Sequence, residues 1–68
     1  MKYTVIYEQA PHNYAAYVPD LPGCVATGET LDEVKRNIRD AISFHLDGLR
    51  LENEPIPEAQ SWAESVEV

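Results

Sequence analysis

Apolar and polar positions change their period along the chain, and the changes mark out its elements. Residues 2–8 (Lys-Tyr-Thr-Val-Ile-Tyr-Glu) are rich in β-branched and aromatic types and hold neither Gly nor Pro, which predicts a first strand. Residues 9–13 carry Pro11 and Asn13 and form a turn. Residues 14–18 (Tyr-Ala-Ala-Tyr-Val) are a second strand, so the two make a hairpin. Residues 19–23 (Pro-Asp-Leu-Pro-Gly) reverse the chain again, with Pro22 and Gly23 suited to the centre of a type II turn, and residues 24–28 are a third strand.

Beyond the third strand the period shifts from two to about 3.6. Thr30 followed by Glu33 is a capping box, Asp32 and Glu33 lie in the first turn where the helix dipole favours acids, and a helix begins at Leu31. Val34, Ile38, Ala41, Ile42, His45 and Leu49 form one stripe, while Lys35, Arg36, Arg39, Asp40 and Asp47 fall on other faces. The helix ends near Arg50, and Pro55-Ile56-Pro57 imposes an extended connection. Ser65-Val66-Glu67-Val68 is a candidate short last strand.

This order predicts an α+β fold: a small antiparallel three-stranded sheet carrying one helix, with a short fourth strand (β-β-β-α-β). Both sheet faces are partly apolar. Tyr3, Val5 and Tyr7 oppose Ile6 in the first strand, and Tyr14, Ala16 and Val18 oppose Ala15 and Tyr17 in the second. One helix covers one face, so the other is expected to meet a partner or a second copy, making the chain a homodimer or higher homo-oligomer.

Length and charge narrow the classes. Sixty-eight residues suffice for a single domain, 1–68, with no separate DNA-binding domain. A chain this short buries only about 60% of its unfolded surface and gains from association. Twelve acids against five Lys and Arg give a formal charge of −7, which disfavours direct nucleic-acid binding and favours a basic partner. The lone cysteine can form no internal disulfide, and no Cys/His spacing suggests zinc. No signal peptide and no apolar run of about 20 residues is present, which predicts a cytoplasmic protein without a membrane span.

Tyr17-Val18-Pro19-Asp20-Leu21-Pro22-Gly23-Cys24, followed by Thr27-Gly28-Glu29-Thr30-Leu31-Asp32-Glu33-Val34, resembles the signature of the HicB-like antitoxin family, here in a short form with the N-terminal domain only. The resemblance extends to the flanking hairpin and helix. It implies a truncated ribonuclease-H-like fold in which the last strand pairs with the first. It also implies a non-enzymatic role: binding and neutralising a small basic mRNA-cleaving toxin of a type II toxin-antitoxin system. Longer family members continue into a DNA-binding module, and the residues after Pro57 leave no room for one. The alternative is an orphan oligomeric scaffold or regulatory domain without a toxin.

Within the motif, turn geometry accounts for Pro22 and Gly23 as structural residues but not for Asp20 and Leu21, so those two are the partner-binding candidates. Thr30 and Glu33 are the helix cap. Cys24 has no neighbouring base and reads as a small buried hydrophobe, and His45 as a packed residue at the core edge. His12 sits in a turn. Ribonuclease-H chemistry requires several acids converging on metal ions, yet the first strand offers only Glu8 at its end, so neither a catalytic site, a metal nor a cofactor is expected. No nucleophile or nucleotide motif occurs, and Trp62 is expected to pack with Ile56 against the domain.

Overall fold

The computed structural model describes all 68 residues. Its elements are β1 (Ile6–Gln9), β2 (Tyr14–Tyr17), β3 (Val25–Gly28) and α1 (Leu31–Leu51). The strands form one antiparallel sheet in the order β1-β2-β3. Ile6 pairs with Tyr17 and Tyr7 with Ala16, while Tyr17 pairs with Val25 and Ala16 with Ala26. This register sorts side chains into two rows. Tyr7, Ala16 and Ala26 face the helix, and Ile6, Tyr17 and Val25 face away from it.

β1 begins later than residues 2–8 suggest. Continuing the register puts Val5 opposite Val18, where the chain leaves the ladder at Pro19, so earlier residues lack a partner. β2 and β3 are joined by two stacked turns: the Leu21 N–H donates to the Val18 carbonyl at 3.1 Å and the Cys24 N–H to the Leu21 carbonyl at 3.0 Å. Gly23 lies at φ 84, the left-handed conformation that the third residue of a type II turn requires.

The helix starts where the capping pattern places it. Thr30 is extended, its hydroxyl accepts from the Glu33 N–H at 3.0 Å, and the Glu33 carboxylate accepts from the Glu29 N–H at 3.0 Å. The helix closes on Asn53 at φ 54, whose N–H donates to the Arg50 carbonyl at 3.1 Å. Its 21 residues span about 31 Å, against about 13 Å for a four-residue strand, so its C-terminal half overhangs the sheet.

α1 lies across β3 and β2 and leaves β1 uncovered. Gly28 permits this closeness: a Cβ there would stand 2.6 Å from the Val34 nitrogen. Ala16, Val18, Leu21, Cys24, Val34 and Ile38 form the core, with Tyr3, Val5, Tyr14, Ala26, Ala41, Ile42 and Leu46 packed around it. Only 7 of 68 residues are buried, so each core side chain carries a large share of the apolar burial.

The short fourth strand over Ser65-Val66-Glu67-Val68 is not formed. The last tether of the tail to the domain falls at Ser61, and beyond it Val66 and Val68 are exposed and pair with nothing. Trp62 also departs from expectation: Ile56 is half-buried, but Trp62 is 81% exposed, because it too lies past that tether. Phe44, outside the apolar stripe, is exposed on the helix.

Candidate functional site

The turn between β2 and β3 holds the two residues singled out for partner binding, and the structure gives each a different place. Leu21 is not at an exposed tip. Its stacked turns fold the side chain inward, where it is 0% exposed among Val18, Cys24, Val34 and Ile38, so it offers no surface to a partner in this conformation. Pro22 and Gly23 occupy the outside of the bend and are exposed.

Asp20 is directed at the tail. One carboxylate oxygen accepts from the N–H groups of Gln60 and Ser61 at 3.0 and 2.9 Å, and the other accepts from the Ser61 hydroxyl at 2.8 Å. The Ser61 N–H and then its hydroxyl hold this carboxyl below its ordinary range against the opposing effect of burial, and the Gln60 N–H adds a weaker lowering. The tail is further pinned by Tyr3, whose hydroxyl donates to the Pro57 carbonyl, and by Thr4, whose hydroxyl donates to the Ser61 carbonyl. Asp20 therefore ties together residues 40 and 41 positions apart, a relation no local pattern carries.

The clamp presents an acidic surface. Glu52, Glu54, Glu58, Glu64 and Glu67 lie on the tail without a single Lys or Arg among residues 52–68, and all five are exposed. The bases gather elsewhere. Lys35, Arg36 and Arg39 stand on the first half of α1, and the one ion pair in the chain joins Arg50 to Asp47 at 3.1 Å. Because α1 leaves β1 uncovered, a groove of about 210 Å³ runs between them, with Val5, Tyr7, Ile38 and Ile42 as its apolar lining and Lys35 and Arg39 beside them.

The remaining candidates are quieter. Cys24 is buried, and burial pushes its thiol above the ordinary value, which disfavours the reactive thiolate. His45 is half-buried on the helix stripe, and His12 is exposed in the first hairpin loop. Glu8 is exposed on β1, and no three His, Cys, Asp or Glu side chains cluster closely enough to hold a metal ion. No helix is long and apolar enough to cross a membrane.

Fold and site together define a small α+β domain in which a double turn holds both the core and an acidic tail. Comparison with known proteins places it further. The model of the HicB-like antitoxin of bacterial toxin-antitoxin systems matches residues 3–67, and the chain belongs to this family. It is 39% identical over 59 residues to an uncharacterized 14.9 kDa protein in the rep-hol intergenic region of Haemophilus phage HP1, covering 87% of this chain but 44% of the phage protein. It is 43% identical over 58 residues to a UPF0150 protein of Thermoplasma acidophilum, covering 84% of each. Among solved structures it resembles a chain of a HicA3 and HicB3 toxin-antitoxin complex, with a TM-score of 0.71 and 27% identity over 81% of this chain and 64% of that one. The chain thus spans less than half of the phage relative and about two thirds of the solved antitoxin-complex chain.

Proposed function

We propose that this domain is a non-enzymatic antitoxin that binds and neutralises a small basic mRNA-cleaving toxin by covering its cationic surface. The observation that carries the reading is the match in fold and sequence to a chain found in a toxin-antitoxin complex, over most of this domain. The distribution of charge supports it. A basic ribonuclease is steered toward the five unpaired glutamates of the tail and away from the Lys35, Arg36 and Arg39 stretch. In this reading Leu21 serves the core, and Asp20 serves binding by holding the acidic tail on the domain. Homo-oligomerisation and a cytoplasmic location belong to the same proposal.

Co-expression with any small basic protein found to be encoded beside this gene tests it. The expected outcome is restored growth of cells making that toxin and recovery of both chains in one complex, with affinity that falls as salt rises. Changing Glu52, Glu54 and Glu58 to Gln is expected to slow association while leaving the fold intact. If the wild-type domain neither binds that protein nor rescues growth, the chain is an orphan scaffold and the antitoxin reading fails.

A further inference from the structure

A groove lies between β1 and α1, and its chemistry opposes that of the chain as a whole. Its floor is apolar, from Val5, Tyr7, Ile38 and Ile42. Lys35 and Arg39, two of only five Lys and Arg residues in the chain, stand beside it without a carboxylate partner. A volume of about 210 Å³ is below the roughly 300–1,000 Å³ of small-molecule sites and suits a few inserted side chains instead. A basic partner is repelled there. The groove calls for an extended segment that combines apolar and acidic residues.

The chain itself contains such a segment. Residues 62–68 read Trp-Ala-Glu-Ser-Val-Glu-Val, lie beyond the clamp at Ser61, and have Trp62, Val66 and Val68 exposed at 81, 72 and 118%. We propose that residues 62–68 of one copy dock in the β1–α1 groove of a second copy, with the valines on Ile38, Ile42 and Val5 and with Glu64 and Glu67 at Lys35 and Arg39. Two features favour a second copy over the same one. The chain's own tail is tied down at Gln60 and Ser61 by Asp20 and lies outside its own groove, and reciprocal docking fills both grooves of a pair at once. The contact takes up Glu64 and Glu67 and leaves Glu52, Glu54 and Glu58 to the proposed toxin surface, and it does not depend on that reading.

Charge exchange on the full chain tests the proposal. The Lys35→Glu/Arg39→Glu and Glu64→Lys/Glu67→Lys variants alter only exposed side chains, so each is expected to fold, which circular dichroism checks. The wild type is expected to sediment as a dimer at micromolar concentration, and each variant alone to dissociate about tenfold more readily, since each places like charges together in both grooves. An equimolar mixture is expected to regain the wild-type dimer. In that mixed pair one groove holds its natural tail and the other holds the reversed pair. A monomeric wild type overturns the proposal, as do two variants that dimerise like the wild type. A mixture that fails to recover also overturns it. None of these outcomes requires toxin, so they are separable from the antitoxin test.

Discussion

Replacing Leu21 by Ala distinguishes a core residue from a recognition residue more sharply than any other single change. Leu21 is 0% exposed and packs with Ala16, Val18, Cys24, Val34 and Ile38. Truncating a fully buried leucine removes its transfer free energy and leaves a cavity, together about 2–5 kcal/mol. The upper part of that range is expected here, because the two turn hydrogen bonds at Val18 and Cys24 hold the backbone on either side and resist collapse. A domain of 68 residues has roughly 3–10 kcal/mol of stability in total, so the variant loses about half of it or more. With a urea dependence near 1 kcal/mol per molar, the unfolding midpoint falls by about 2–5 M. Equilibrium urea unfolding followed by circular dichroism measures this directly. Leu21→Met, which nearly conserves volume, is expected to cost less than about 1.5 kcal/mol. An Ala variant that keeps the wild-type midpoint yet loses its partner would refute the packing argument and return Leu21 to the surface.

Other changes separate the remaining devices. Gly28→Ala drives a Cβ to 2.6 Å from the Val34 backbone and is expected to destabilise by about 1–3 kcal/mol, whereas Gly48→Ala, with open space around its Cβ in a helix, is expected to stabilise by about 0.5–1 kcal/mol; thermal melts of the two should move in opposite directions. Thr30→Ala removes the acceptor for the Glu33 N–H and is expected to cost about 1 kcal/mol, measured in the same way. Asp20 has a folded-state pKa below its ordinary 3.8, so its contribution is complete above that value and is lost as pH falls through the lower folded value. The protection factors of the Gln60 and Ser61 amides, their exchange rates normalised to the intrinsic rate at each pH, should therefore fall in acid for the wild type. In Asp20→Ala that protection should already be lost at neutral pH, and strong protection retained in that variant would contradict the clamp.

Legibility in the sequence followed the range of the interactions. The three strands, the Pro22-Gly23 turn and the start of α1 at Leu31 were readable because each depends on residues a few positions apart: alternation in a strand, φ 84 at Gly23, and a hydroxyl three residues before the N–H it caps. The helix stripe likewise names Val34 and Ile38, the two buried helix positions, but omits Leu46, which packs against the core and continues the spacing of four from Ile38 and Ile42. The candidate site was read less well. A motif of Pro, Asp, Leu, Pro and Gly looks like an exposed loop, and the inward turn of Leu21 depends on where the helix lies above it.

The turn between β2 and β3 therefore divides the two kinds of information. Its bend follows from local backbone geometry, since proline presets φ and glycine tolerates the left-handed region, and these hold in any context. The destinations of its side chains do not. Leu21 became core because α1 crosses β2 and β3, and Asp20 became a clamp because residues some forty positions later return to it. The same crossing leaves β1 bare and opens the groove beside Lys35 and Arg39. Each of these depends on how whole elements pack, which is a property of the assembled layers and not of any short stretch of chain.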